Sequence, residues 1–244
     1  MRPRGKRSSK DITAMLTVID IELHRFIVPI LLGKTSELEG DSLQNGTGML
    51  VRNRSHMLVT CDHIWKEWRI TNSGQMGSFV VLLGSGYTAV EITPASIYAN
   101  SSADLAAVHF SPSLIVDSQK AFYPLDEIGF VDAQVGDVLV AIGYPGMWRR
   151  SGYHESTFGR SVFPFVVSDV SHGGFVAAES TNAEVLKDLD RMARESGREQ
   201  DALGGLSGAP IFNAYTRPFK LAGFVRERGC GGVFFAHARS LVES

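Results

Sequence analysis

The feature that most constrains this chain is its punctuation. Twenty-five glycines are spread through 244 residues, and the apolar runs between them are short. Met49-Leu50-Val51, Phe79 to Leu83, Leu105 to Phe110 and Val135 to Ile142 have strand length and are bounded by turn residues. That rhythm predicts an all-β architecture. A chain of this size has ample material to bury a core.

The strands can be placed in order. Phe26 to Leu32 is a strand, expected at a sheet edge because Pro29 cannot donate to a ladder. Gly46-Thr47-Gly48 leads into a second strand, Asn53-Arg54-Ser55 is a turn, and His56 to Thr60 returns as a hairpin. Alternation stops at Cys61-Asp62-His63-Ile64-Trp65, which suits a short helical turn. Phe79 to Leu83 and Ala89 to Ile92 pair around Gly84-Ser85-Gly86, and Ser101 to Asp104 opens the run Leu105 to Phe110. Ser111 to Asp132 is irregular and holds the boundary between two sub-domains. Val135 to Ile142, Phe163 to Val170, Gly174 to Ala178, Lys220 to Arg226 and Val233 to Ala236 complete the strands.

Two segments read as helical. Ile12 to Ile19 is a short helix behind a basic, solvated tail of Met1 to Lys10. Ala183 to Ser196 places Val185, Leu186, Leu189, Met192 and Ala193 at helical spacing, with Thr181 and Glu184 as a capping box. Its apolar stripe is expected to pack on the body of the protein. The resulting division is a tail and short helix over 1–21, one β unit over 22–120 and a second over 121–244.

Charge and cysteine content exclude several classes. A net charge of -2 gives no global attraction to nucleic acid. No apolar run approaches the length of a membrane-spanning helix. Cys61 and Cys230 are the only cysteines, which suits a reducing compartment and a cytoplasmic location. The basic start followed by Ile12 to Ile19 mimics a signal peptide, but Asp20 and Glu22 close the run and no cleavage site follows, so secretion is the less favoured reading. Neither C-x-x-C nor H-E-x-x-H occurs, so no metal or other cofactor is expected.

Gly204-Gly205-Leu206-Ser207-Gly208-Ala209-Pro210 is the stretch with chemical content. Glycines around a serine permit a tight turn, and the amides of Gly205 and Ser207 could converge on one developing oxyanion. A plain glycine-rich hairpin turn is the alternative. A serine nucleophile needs a base and an orienting acid. His63 and Asp104 precede it at strand ends, in the order histidine, aspartate, serine.

At these residues a resemblance appears. Thr60-Cys61-Asp62-His63, Ala103-Asp104-Leu105-Ala106-Ala107-Val108 and Gly205-Leu206-Ser207-Gly208-Ala209-Pro210 resemble the histidine, aspartate and nucleophile segments of trypsin-like serine proteases. Leu221-Ala222-Gly223-Phe224-Val225 and Gly232-Val233-Phe234 resemble the strands flanking their primary pocket. The likeness runs from about Gly46 to Ala236 and implies two packed antiparallel β-barrels, with the Ala183 to Ser196 helix inserted before the nucleophile loop. By that resemblance the first barrel supplies His63 and Asp104, the second supplies Ser207, and a protein or peptide substrate lies between them. The run Gly136 to Pro145 is similar to a segment of bacterial trypsin-like peptidases, among them the high-temperature-requirement proteases, although no peptide-binding module is expected after the last strand. The α/β-hydrolase elbow fits poorly, because Ala209 replaces its last glycine and its serine comes first.

The resemblance also bears on substrate choice. Asp201, six residues before Ser207, matches the acidic base of a trypsin-type pocket and would favour Arg or Lys. Equally, it can belong to the polar loop with Glu199 and Gln200. Gly232 matches a small residue that leaves the pocket open, while Arg226 and Arg228 could neutralise Asp201 or select an acidic side chain. Tyr144-Pro145-Gly146 and Trp148-Arg149-Arg150 are either a rim of the cleft or a surface loop. The unusual Arg226-Glu227-Arg228 run leaves a second function open, a protease-like binding or sensor domain with absent or conditional activity. An esterase using the same triad is a third.

Many secreted relatives carry an aspartate just before the nucleophile, where it pairs with a newly cleaved N-terminus; here that position is Leu206. The intact chain and one cleaved near its start should therefore be equally active. A large gain on cleavage would contradict this.

Overall fold

The computed structural model describes residues 9–33, 44–71, 78–83, 88–91, 97–146, 149–151, 156–195, 204–229 and 231–242. Helix α1 (Ser9–Leu23) leads into β1 (Ile27–Gly33). The strands β2 (Gln44–Asn53), β3 (Ser55–Cys61), β4 (Ser78–Leu83), β5 (Thr88–Glu91), β6 (Ile97–Asn100) and β7 (Leu105–His109) follow, with α2 (Asp62–Thr71) after β3. They form one antiparallel sheet in the order β5-β4-β1-β2-β3-β7-β6. The short β8 (Tyr123–Pro124) adds to β2 in parallel, and α3 (Leu125–Ile128) continues from it.

The second sheet contains β9 (Val138–Gly143), then, beyond a separate hairpin of β10 (Arg149–Ser151) and β11 (Ser156–Phe158), β12 (Ser161–Val166), β13 (Asp169–Ser171) and β14 (Gly174–Ala178). After α4 (Glu179–Glu195) come β15 (Pro210–Asn213), β16 (Leu221–Gly229) and β17 (Gly232–His237). Its order is β12-β9-β15-β16-β17-β14-β13. The architecture is all-β, built on two main sheets.

Local chemistry explains most of these elements. In the hairpin of β2 and β3, Arg54 turns the chain with φ of 58° between the paired Asn53 and Ser55. The strand carrying Pro29 is not an edge: β1 pairs with β2 on one side and β4 on the other. Pro29 is tolerated because the β4 ladder starts only at Ile30. The expected strand from Val135 starts at Val138, because Gly136 (φ 86°) turns and donates to Val167 O. The run Phe163 to Val170 is divided between β12 and β13, where Val167 N turns to Asp137 O. Strand β6 was not expected at all.

Helix α4 begins earlier than expected and bends at Asn182 (φ -114°, ψ 21°). The capping box expected from Thr181 and Glu184 gives way to a stronger anchor. Buried Asn182 accepts from Val166 N at 2.8 Å and donates to the carbonyls of Val166 and Ala178, each at 3.0 Å. Leu186, Leu189 and Ala193 then bury the apolar stripe in the core of the second sheet. On the other flank, Arg160 donates to both carboxylate oxygens of Asp20, at 2.6 and 2.8 Å, tying α1 beside β12.

The two sheets meet through an apolar layer in which Met49, Val51, Val59 and Leu105 face Val140, Ile142, Phe212 and Phe224. Thr47, fully buried on β2, adds direction to that contact. Its amide donates to Ser207 O at 3.0 Å, and its hydroxyl donates to Gly205 O at 2.6 Å while accepting from Tyr144 N at 3.0 Å. Thr47→Val keeps the shape but strands a buried carbonyl and a buried amide. It should cost about 2–4 kcal/mol in chemical denaturation, with Thr47→Ser retaining most of the stability.

Candidate active site

Strand pairing brings the first two candidate residues together. Cys61 at the end of β3 lies opposite Leu105 at the start of β7. The next residues on each side are therefore neighbours, and Asp62 N donates to Asp104 O at 3.1 Å. His63, in the first turn of α2, is gripped twice: its amide donates to Asp104 Oδ1 at 2.9 Å and its Nδ1 to Asp104 Oδ2 at 2.7 Å. A carboxylate accepts only, so Nδ1 carries the proton and Nε2 presents a lone pair. Asp104 holds this geometry in the left-handed region (φ 55°), which aspartate tolerates better than most residues. Asp62 is itself buried, taking Ser101 Oγ at 2.7 Å and Lys66 Nζ at 2.6 Å.

The serine arrives from the other sheet. Gly205 (φ 85°) and Gly208 (φ 83°) make the turns that other side chains resist, and a Cβ on Gly208 would collide with Thr47 O. That same Cβ would lie 3.1 Å from Cys61 N, so the residue after Ser207 abuts the strand end that leads into His63. Among the described residues, the amides of Gly205 and Ser207 donate to no other group. The Ser207 hydroxyl donates to Arg226 O at 3.0 Å. The structure thus brings His63 to Asp104, while the Ser207 hydroxyl is turned to a main-chain carbonyl.

The electrostatics follow this contact. The hydrogen bond to Asp104 raises the His63 pKa above its ordinary value; partial burial opposes the rise, and the charges of Asp104, Glu67 and Glu227 add to it. Burial by itself pushes the Asp104 carboxyl up, but the bonds from His63 and the charge of Arg226 hold it below the usual range. Cys61, His63 and Asp104 present ligand atoms within 4.8 Å of one another. The Cys61 thiol, however, is fully buried, raised well above its ordinary pKa by that burial, and bonded to Val225 O at 3.0 Å. It is a poor metal ligand at neutral pH.

The expected substrate-binding residues fare differently. Asp201 lies outside the described residues. Arg226 sits at a slip in register, where Val225 pairs with Phe235 and Glu227 with Phe234, leaving Arg226 as the extra residue of a bulge. Its Nε is buried without a hydrogen bond and lies 3.9 Å from Asp104 Oδ2. Arg228 is instead engaged with Asp190 on α4, its Nη2 donating at 3.0 Å to one oxygen and its Nη1 to the other. A Cβ on Gly232 would strike Ala177 O, so that glycine serves the close approach of β14 and β17. Tyr144-Pro145-Gly146 is buried rather than a rim, because Tyr144 N and O are held by Thr47 and Asn45. Leu206 packs in the apolar core of the second sheet, where an acidic partner for a chain terminus has no place.

Sequence reading passed over Thr47 and the Arg226 carbonyl. Thr47 did carry a signal, lying between Gly46 and Gly48, whose added Cβ atoms would meet Ile64, and Leu58 with Ile30. Two glycines that must be small, two residues apart on one strand, mark close packing on the face they share, with the polar residue between them turned to the other.

Comparison with known proteins agrees with the geometry. No curated protein sequence matches the chain. The crystal structure of Deg5 has a similar fold, with a TM-score of 0.55 over 98% of this chain and 94% of that one, at 16% identity. A likeness at that identity concerns the fold alone. The sequence profile of the trypsin-like peptidase domain matches residues 46–218, a span containing His63, Asp104 and Ser207. By that match, which covers most of its length, the chain belongs to the trypsin-like peptidase family.

Proposed function

We propose that this serine-type endopeptidase cleaves peptide bonds by acyl transfer through Ser207, with His63 as base and then acid, and Asp104 as its orienter. The observation that carries the reading is the double grip of Asp104 on His63, at 2.9 and 2.7 Å, which fixes the ring and its tautomer. In this reading the Ser207 hydroxyl turns away from Arg226 O and offers its proton to Nε2. As the serine oxygen attacks a peptide carbonyl, the developing charge moves onto the oxygen held by the amides of Gly205 and Ser207. His63 then returns the proton to the leaving amine, and water hydrolyses the acyl-enzyme by the same steps in reverse.

Substrate binding in this reading uses β16. The ladder of β15 with β16 ends at Phe224, and among the described residues no strand covers the edge from Arg226 to Gly229 on that side. An extended peptide can add there as a further strand. A preference for cleavage after basic residues rests on the sequence position of Asp201 alone, and a cytoplasmic setting on cysteine usage alone.

A second reading, conditional activity, is favoured by the Ser207 hydroxyl being turned to Arg226 O. A fluorophosphonate probe with Ser207→Ala as control separates the two. Labelling of the wild-type chain without any trigger supports constitutive activity; labelling only with substrate or partner present supports the second reading.

Two kinetic outcomes are expected. Asp104→Asn should lower kcat on the order of 10⁴-fold, since the carboxylate no longer enforces the Nδ1–H tautomer. His63 must be neutral to accept a proton, and its pKa is raised. The acid limb of kcat/KM should therefore fall with a midpoint above the ordinary histidine value of about 6.5. In Asp104→Asn the largest cause of the rise is gone, so the remaining activity should show its acid limb at lower pH. An unmoved limb would remove His63 from the role.

A further inference from the structure

This inference rests on the acyl-transfer reading above and adds a determinant of substrate choice. The charges around the site pair off in turn. Lys66 is taken by Asp62 at 2.6 Å. Asp104 is shared between His63 at 2.7 Å and Arg226 Nε at 3.9 Å. Arg228 is held by both oxygens of Asp190. Glu227 is left over. Its side chain is exposed, and among the described residues its carboxylate forms no ion pair or hydrogen bond.

Its position gives that charge a use. Glu227 directly follows Arg226, whose carbonyl accepts the Ser207 hydroxyl at 3.0 Å. The bulge at Arg226 turns the arginine towards Asp104, while the charge of Glu227 is felt at His63. Glu67, one helical turn beyond His63 on α2, adds negative charge near the same ring. An extended peptide pairing with β16 advances about 3.3 Å per residue, so the side chain meeting Glu227 lies within roughly two residues of the bond presented to Ser207.

We propose that Glu227 is a specificity-determining residue, its carboxylate receiving a Lys or Arg side chain of the substrate close to the scissile bond. The two arginines singled out in the sequence would then have no direct part in choosing an acidic side chain, because Arg228 is paired with Asp190 and Arg226 is turned towards the carboxylate that also holds His63.

The test is a denatured proteome digested by the full chain, by Glu227→Gln and by Glu227→Lys, with cleavage sites read by mass spectrometry. Reaction with a fluorophosphonate probe counts working sites in each digest. For the wild type, Lys or Arg should be enriched about 5- to 20-fold at one position within two residues of the cut, as expected for a charge pair that is partly desolvated. Glu227→Gln should bring that enrichment close to one, and Glu227→Lys should replace it with Asp or Glu at the same position. A basic preference that is absent in the wild type, or unchanged in both variants while they still label, overturns the role of Glu227 and leaves the acyl-transfer reading standing. A wild-type chain that neither labels nor cleaves overturns both.

Discussion

The structure depends on one buried threonine. Apolar packing brings the two sheets together, but such packing is without direction and would accept small slides. Thr47 removes that freedom: three hydrogen bonds from one residue reach Ser207, Gly205 and Tyr144 on the other side. Thr60 completes the bracket, its hydroxyl donating to Thr47 O at 2.9 Å. Because the serine loop is tied to β2, and β2 pairs with the strand that ends at Cys61, the loop and His63 share one frame. A displacement of an ångström in that frame would be felt in the chemistry.

Within the first sheet, register does the equivalent task. The pairing of β3 with β7 sets Asp104 beside the first turn of α2. The left-handed backbone at Asp104 is kept because both side-chain oxygens and the main-chain oxygen have partners. Backbone strain at a site of this kind persists where surrounding contacts outnumber it. The cost is spread over a network whose members each hold another.

The second sheet contributes irregularity where regular pairing would be unhelpful. A bulge at Arg226 re-aims one side chain towards Asp104 and exposes a carbonyl to Ser207. The inserted helix α4 is secured at its bend by Asn182 and along its length by Arg228 on Asp190, so it braces the strand that borders the cleft. Its apolar stripe, visible in the sequence, says only that it packs. Which strand it supports depends on those two polar contacts.

Fold class, the hairpin of β2 and β3, the helix after Cys61 and the long helix before the serine loop were legible in the sequence, because each rests on short-range periodicity or turn chemistry. So were His63, Asp104 and Ser207 as candidates, through their order and their local segments. Other features depend on residues far apart in the chain, and no local pattern reports them. Pro29 suggested an edge strand, yet whether a neighbouring ladder reaches that position is decided by where β4 stops. Arg226 and Arg228 read as cations that could neutralise Asp201 or select an acidic side chain, yet the carboxylates they face, Asp104 and Asp190, lie 122 and 38 residues away in sequence and are brought near only on folding. Local sequence thus determined the strands and the chemical groups available. Tertiary structure decided which charges pair with one another, because an ion pair forms by distance in space and not by separation along the chain.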